Sequence, residues 1–390
     1  MPYHHKKYNI LTIIRNPVGG IRTYIKYTYG NLNKDKYQFT LVIAKDTEKD
    51  SEFLLDDLSG FDVNILEIKG KRPHFLMLRN ITKILRKHEF DLIHSHGYTS
   101  GLLGVIANYF FKIPHIITSH DVIRNDQFPG FIGRVKKKLI SILLAQANIL
   151  QSVGNDAQAN LIEHFPNVAE KQSRLVVIKN GIAVEQFKTE GKKNNSQLRE
   201  EFGIRDGCFL FGFLGRFMPQ KGFNYLIEAV EKLACKGKFT KCFKILALND
   251  GDYIREYKKT IHERQLSDYF LFHGFVADVG SAFRAMDALI MPSLWEAYSL
   301  LPMEALVVGC PVIATDCIGL REVTASTPAL VVEARNSQAL SEAMSLFMEH
   351  PDRIRDSVKG FVPEARERFD VQHTVSQLDH LFTRIICPVS

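Results

Sequence analysis

The stretch "EAYSLLPMEALVVGCPVIATD", residues 296–316, carries the pattern that decides the fold. It leaves a loop-like segment, becomes a short apolar helix and, by way of Gly309 and Pro311, runs into a Val/Ile-rich strand. Ser299 is placed to cap a helix from about residue 300, with Pro302 in its first turn, where a missing N–H matters least. The N–H groups of Leu300 and Leu301 would then be free, and with the positive helix end they would form an anion site. Carboxylates beside an anion site need neutral hydrogen-bonding partners, and sugar hydroxyls are such partners. Glu304, roughly 7.5 Å along the axis from the cap, would reach a ribose diol. Glu296 would reach a second sugar on the other side of a diphosphate. The spacing fits a nucleoside-diphosphate sugar, although two solvated glutamates would satisfy it as well.

Outward from this stretch, short apolar runs alternate with helical patterns. Residues 9–14, 39–44, 63–68, 91–96, 115–120, 148–153 and 175–180 read as strands. The runs are continuous rather than alternating, as strands buried on both faces of a parallel sheet require. Helical segments such as "FLMLRNITKILRKH" (75–88) lie between many of them, which is the rhythm of a doubly wound α/β sheet. The rhythm restarts at "FLFGFLGR" (209–216) and continues through 243–248, 269–275, 288–293, 311–316 and 328–333. Residues 180–197 are polar and aperiodic and suit a linker. Two similar α/β domains are therefore expected on either side of about residue 185, facing across a cleft lined by the carboxyl ends of their strands.

The 390 residues are 45% hydrophobic and 24% charged, a composition that can bury large cores. The apolar run near the N-terminus is too short for a signal peptide, and "LISILLAQANIL" (139–150) is too short and too polar to span a membrane. The six cysteines have no CxxC spacing and read as reduced thiols of a cytoplasmic protein, with neither a zinc site nor a disulfide framework. Residues 1–180 carry 25 Lys and Arg against 16 Asp and Glu, while residues 181–390 carry 25 against 27. The positive excess thus sits in the first half, which fits either solvated lysines or a face toward something anionic. No pattern for nucleic-acid binding accompanies it.

"GFLGRFMPQKGFNYLIEAV" (212–230) sets Arg216 after a strand and Lys221 before a helix, where the two cations could neutralise a diphosphate and stabilise a departing nucleotide. Taken with "NPVGGIRTYI", "DLIHSHG", "TSHD", "VVIKNGIAVEQF", "HGFV", the opening stretch and "GLREV", in that order and spacing, the chain resembles retaining glycosyltransferases of the GT-B superfamily, family 4. The resemblance covers nearly the full length. It implies a GT-B fold of two Rossmann-like domains, with an acceptor domain at 1–184 and a donor domain at 185–366. A C-terminal helix, about 367–390, would return to the first domain.

The resemblance further implies a nucleotide-sugar donor, no cofactor and no obligatory metal. Glu296 and Glu304 match the family's E-x7-E pair, which contacts the donor sugar and ribose, with Ser299, Leu300 and Leu301 beside the phosphates. Arg216 and Lys221 match its diphosphate pair, His120 its histidine beside the donor sugar, and Phe275 and Val276 its base-reading loop. Gly19 and Gly20 match the glycine loop after the first strand. Asp121 could orient a ring or an acceptor hydroxyl. His94 and His96, on one face of a strand, could either contact acceptor or be structural. The chain departs from many relatives at Ala297 and Ser299, where glycine or proline is usual. In "LNDGDY" (248–253) only Gly251 of the usual turn remains.

The expected reaction moves a hexosyl unit, most readily from a UDP-sugar, to a glycan or lipid-linked saccharide, as in cell-surface polysaccharide or lipopolysaccharide synthesis. The alternatives are a nucleotide-sugar 2-epimerase on the same fold or an inactive sugar-nucleotide-binding subunit. No GxGxxG follows the first strand, which argues against a Rossmann oxidoreductase. In "FIGRVKKKLISILLAQ" (131–146) basic and apolar residues mix. The segment is either a helix packed on the first sheet or one lying on the anionic inner face of the cytoplasmic membrane.

Overall fold

A computed structural model describes residues 7–44, 54–61, 63–70, 73–188, 199–204, 207–235, 242–276 and 278–388. Residues 189–197 of the expected linker lie outside these. The chain divides into two compact units, residues 1–181 with 371–390, and residues 182–370.

In the first unit, strands β1 (Tyr8–Ile14), β2 (Tyr37–Ala44), β3 (Val63–Ile68), β4 (Leu92–His96), β5 (His115–Ser119), β6 (Ile149–Ser152) and β7 (Leu175–Val177) form a parallel sheet in the order β3-β2-β1-β4-β5-β6-β7. The register sets Ile13 beside Val42 on one side and Ser95 on the other. Helices α1 (Gly20–Tyr29), α2 (Pro73–Lys87), α3 (Tyr98–Ala107), α4 (Gly130–Leu144) and α5 (Asn155–His164) make crossovers. Parallel neighbours require such connections. The apolar strand residues pack against Met77, Ile81 and Leu85 of α2 and Leu103 and Ala107 of α3. Full burial of each large aliphatic side chain contributes about 1.5–3 kcal/mol.

The second unit repeats the plan with β8 (Phe209–Leu214), β9 (Phe243–Leu248), β10 (Phe270–His273), β11 (Ala288–Met291), β12 (Val312–Thr315) and β13 (Leu330–Val332), in the order β10-β9-β8-β11-β12-β13. Its helices are α6 (Phe223–Cys235), α7 (Ile254–Glu263), α8 (Val279–Ala285), α9 (Leu301–Val307), α10 (Leu320–Thr324), α11 (Ser337–Glu349) and α12 (Pro351–Arg368). Its core is aromatic, with Phe211, Phe213, Phe217, Phe223 and Phe347 buried together. The last helix, α13 (Val371–Ile386), belongs to the first unit. Asp379 on it takes Lys36 Nζ at 2.8 Å and the Tyr37 hydroxyl at 2.8 Å, and Phe382 sets its edge against Tyr37 and His94.

One expectation changes here. Cys208 and Cys242 are joined by a disulfide, so these two are not reduced thiols. The register explains the meeting: Phe209 pairs with Phe243, which sets the preceding residues side by side across a sequence gap of 34. Cys310 and Cys317 are free and buried, and Cys387 is free and exposed. Helix α4 turns an apolar stripe outward. Ile132, Val135, Leu139 and Ile142 recur at helical spacing and are exposed, as is Phe131, while Gly133, Ser141 and Leu144 face inward. Ile140, Leu143 and Leu144 pack on the core of the first unit, so α4 rests on that unit and still shows a second apolar stripe to solvent.

Candidate active site

In each sheet the strand order reverses beside the first strand, between β1 and β4 and between β8 and β11. Loops leaving the carboxyl ends at such a reversal diverge to opposite faces and leave a crevice for a ligand. Most of the candidate residues lie at or next to these two places, one per unit, while Phe275 and Val276 follow the edge strand β10.

In the second unit, Gly215 and Arg216 leave β8 and a short turn, Pro219–Lys221, precedes α6. Lys221 reaches to the loop after β11, where its Nζ lies 2.7 Å from Glu296 Oε1. The same oxygen accepts from Ser293 Oγ at 2.8 Å, and the Ser293 carbonyl accepts from Thr315 Oγ1 at 2.5 Å. Gln220 stitches the two loops together: its carbonyl accepts from Leu294 N at 2.8 Å, and its amide donates to the Trp295 carbonyl at 2.9 Å. Gly222 has φ 66°, and a Cβ there would collide with the Pro292 carbonyl. Gly319 has φ 79°, and a Cβ there would collide with the Glu296 carbonyl. Both positions need glycine for conformation and for space, and together they clamp the Glu296 loop from two sides. Arg216 is exposed beside this pair, and loop 249–253 is tied to the residue after it, with Phe217 N bonded to Asp250 O at 3.1 Å.

Helix α9 starts one residue later than the sequence suggests. Leu300 is its N-cap, with no side-chain cap, so Ser299 does not cap it. Pro302 still lies in the first turn. The backbone N–H groups of Leu300 and Leu301 have no hydrogen bond among the described residues. Ser299, Leu300 and Glu304 are buried, and so is Tyr298, whose phenol burial raises above its usual pKa. Phe275 is exposed and Val276 half-buried in the loop after β10.

In the first unit, Gly19 and Gly20 open α1 and are exposed. His120, half-buried, follows β5, and the exposed Asp121 comes next. Of the two readings open for His94 and His96, the structure supports the internal one. Both are buried, and their rings are joined by the Tyr29 hydroxyl, 2.7 Å from His94 Nδ1 and 2.9 Å from His96 Nε2. His96 Nδ1 then meets His120 Nε2 at 2.9 Å, and the edge of Tyr24 closes on the His120 ring. Burial first, and the neighbouring imidazoles second, hold His94 and His96 well below the usual histidine range, and burial pulls His120 down to about 3. All three rings are therefore neutral at pH 7.

Sequence reasoning missed Tyr24, Tyr29, Thr118 and Gln151 around the histidines, and Ser293 and Thr315 around Glu296. Tyr24, Thr118 and Thr315 lie inside the quoted motifs without a role assigned there, Tyr29, Gln151 and Ser293 lie outside them, and only the fold brings these residues together. Among the described residues no group of three His, Cys, Asp or Glu side chains is placed to hold a metal ion.

The chain is matched along most of its length by two family models. Glycosyl transferases group 1 matches residues 194–368, and Glycosyltransferase Family 4 matches residues 18–186. Among curated proteins it is 24% identical to the UDP-Gal:alpha-D-GlcNAc-diphosphoundecaprenol alpha-1,3-galactosyltransferase of Escherichia coli, over 81% of each chain. It is 27% identical to the 2-deoxystreptamine glucosyltransferase of Streptomyces kanamyceticus, over 76% of this chain and 78% of that one. Among solved structures, Anabaena Alr3699/HepE in complex with UDP-glucose superposes with a TM-score of 0.82 at 20% identity, over 96% of this chain and 99% of the other. Two doubly wound parallel sheets of matching order, each falling under its own family model, place the protein among the GT-B glycosyltransferases of the family 4 type.

Proposed function

We propose that this chain transfers a hexosyl unit from a nucleoside-diphosphate sugar, with a UDP-sugar favoured, to a hydroxyl of a glycan or lipid-linked saccharide, with retention at the anomeric carbon and no metal. The observation that carries this reading is the Lys221–Glu296 pair at the reversal of the second sheet, with Arg216 exposed beside it. Cations of this kind offset the charge that grows on a diphosphate as the anomeric carbon–oxygen bond breaks. Glu296 and Glu304 hold the sugar and ribose hydroxyls. The acceptor oxygen bonds the anomeric carbon from the face the diphosphate leaves, and its proton passes to the departing phosphate oxygen. This course needs no carboxylate nucleophile from the first unit. His120 and Asp121 contact substrate hydroxyls, Gly19 and Gly20 line the substrate site, and Phe275 and Val276 contact the base.

A thermal-shift series with UDP-, GDP- and ADP-sugars identifies the base, and transfer is then assayed with that donor. Glu296→Ala, Lys221→Ala and Arg216→Ala each cost about 3 kcal/mol of transition-state stabilisation, roughly a hundredfold in rate, with the fold retained. Near-wild-type turnover in all three removes the assignment.

The acceptor end of the reading concerns α4. An exposed stripe of Phe131, Ile132, Val135, Leu139 and Ile142, beside Arg134, Lys136, Lys137 and Lys138, fits an anionic lipid surface by both apolarity and charge. A cytoplasmic enzyme peripheral on the inner leaflet would meet a lipid-linked acceptor there. No helix among the described residues is long and apolar enough to cross a membrane.

A further inference from the structure

The hydrogen bonds inside the first unit run in one direction, and that direction has a chemical consequence at His120. The Gln151 side-chain carbonyl can only accept, and it takes the Thr118 hydroxyl at 3.0 Å. Thr118 has one proton, now spent, so at the 2.6 Å contact with His94 Nε2 it accepts and the histidine donates. A neutral imidazole carries one N–H. His94 Nδ1 therefore accepts from the Tyr29 hydroxyl, 2.7 Å away. With its proton committed, Tyr29 accepts from His96 Nε2 at 2.9 Å and from the Thr12 hydroxyl at 3.4 Å. His96 Nδ1 is then bare, and at 2.9 Å it accepts a hydrogen bond from His120 Nε2–H. His120 is left with Nε2 protonated and Nδ1 as a lone pair.

Each link has only one proton to give, so the chain has two consistent states, this one and its complete reversal. The Gln151 amide chooses between them. Its carbonyl faces Thr118, and its nitrogen faces the Tyr24 side. The Gln151 nitrogen and the Tyr24 hydroxyl are both buried. The two atoms stop short of a full hydrogen bond. Turning the amide over would set its nitrogen on Thr118 and reverse every bond, placing the His120 proton on Nδ1.

We propose that Gln151, acting through Thr118, His94, Tyr29 and His96, is the positioning residue that fixes His120 as the Nε2–H tautomer, so that His120 Nδ1 accepts a hydrogen bond from a substrate hydroxyl. That the hydroxyl belongs to a substrate rests on the transferase reading, whereas the tautomer rests on the hydrogen bonds and on the Gln151 carbonyl facing Thr118. With the other tautomer His120 Nδ1–H donates to the hydroxyl oxygen, and the hydroxyl proton, which His120 otherwise holds, is turned away from the ring.

The test is nitrogen NMR of the full chain labelled with ¹⁵N-histidine at pH 7, which separates protonated from bare ring nitrogens, with His120→Asn giving the assignment. The wild-type spectrum should show His120 protonated at Nε2. Protonation at Nδ1 overturns the proposal whatever the variants do. Gln151→Met removes the terminal acceptor, frees the Thr118 proton for His94 Nε2, and should move the His120 proton to Nδ1. Tyr29→Phe cuts the chain and should give a mixture. If Gln151→Met melts as wild type and His120 stays protonated at Nε2, Gln151 is not the control and the proposal fails. In kinetics, Gln151→Met should lower kcat about tenfold or more, with the donor KM within about twofold. A wild-type protein that turns over no nucleotide sugar would sink the transferase reading and leave the ring assignments standing.

Discussion

Lys221 and Glu296 are each assigned to a different part of one donor, yet they bond each other at 2.7 Å. Both are largely buried, with side chains 19% and 9% exposed, so the pair is neither a solvated surface contact nor a fully interior one. A diphosphate that recruits Lys221 must compete with the carboxylate for it. Glu296→Gln removes the competitor and keeps the shape. Calorimetry with UDP, if UDP is the nucleotide bound, should therefore show about five- to tenfold tighter binding, equivalent to roughly 1 kcal/mol. Transfer should fall about a hundredfold. Weaker binding by Glu296→Gln would mean that Lys221 does not serve the diphosphate. The motif named both residues, but their pairing was invisible in it. Seventy-five positions separate them, and only the adjacency of β8 and β11 brings their loops together. Ser293 was equally silent, because a serine three residues before a glutamate is ordinary in any loop.

At the scale of elements, the apolar runs placed the strands well. Residues 63–68 and 243–248 were read without error, and the others shifted by a few residues where strand ends fray into loops. Continuous burial on both faces gives a signal that needs no tertiary knowledge. Register gives none, which is why the Cys208–Cys242 bond was misread and the histidines of β4 and β5 were not seen as one cluster. That cluster has a cost in acid. Burial holds His94 and His96 well below their ordinary value and brings His115 and His120 down to about 3. The unfolded chain protonates the same rings near 6.5. Between these limits the unfolded state binds more protons, so stability present at pH 7 declines as pH falls below about 6.5, by up to about 1.4 kcal/mol per pH unit for each such ring. Hydrogen exchange across β4 and β5 should quicken between about pH 6.5 and 5, above the range where most carboxylates titrate. His115→Gln, which can still bond Ser95, should flatten the trend. Exchange independent of pH over this window, after correction for its intrinsic rate, would contradict neutral burial. Trp295, the chain's single tryptophan, lies in the other unit and reports on that unit separately.

On the scale of the whole molecule, the uneven charge of the two halves gains a location. Part of the positive excess sits on α4, interleaved with side chains that a water-facing helix would not carry, such as Phe131 and Ile132 at 73% and 83% exposure. Sedimentation with vesicles should recover the protein on anionic lipid and not on neutral lipid, and raised salt should weaken the recovery, since each lysine or arginine near such a surface adds about 1 kcal/mol. Phe131→Ser with Ile132→Ser should reduce recovery at constant charge. Equal recovery on neutral and anionic vesicles, or none on either, would remove the membrane from the account. The sequence supplied the composition of this helix but not which side faced out, because that depends on what α3 and the sheet leave uncovered.

The return of α13 to the first unit also bears on how the molecule is made. The partners that Lys36, Tyr37 and His94 meet in Asp379 and Phe382 emerge from the ribosome hundreds of residues after them. Residues 182–370 form a unit of their own and can complete it during synthesis. The portion translated first must wait, with the docking ground for α13 uncovered, until the final helix arrives. The first unit, although its sheet is translated first, is therefore the last to be completed.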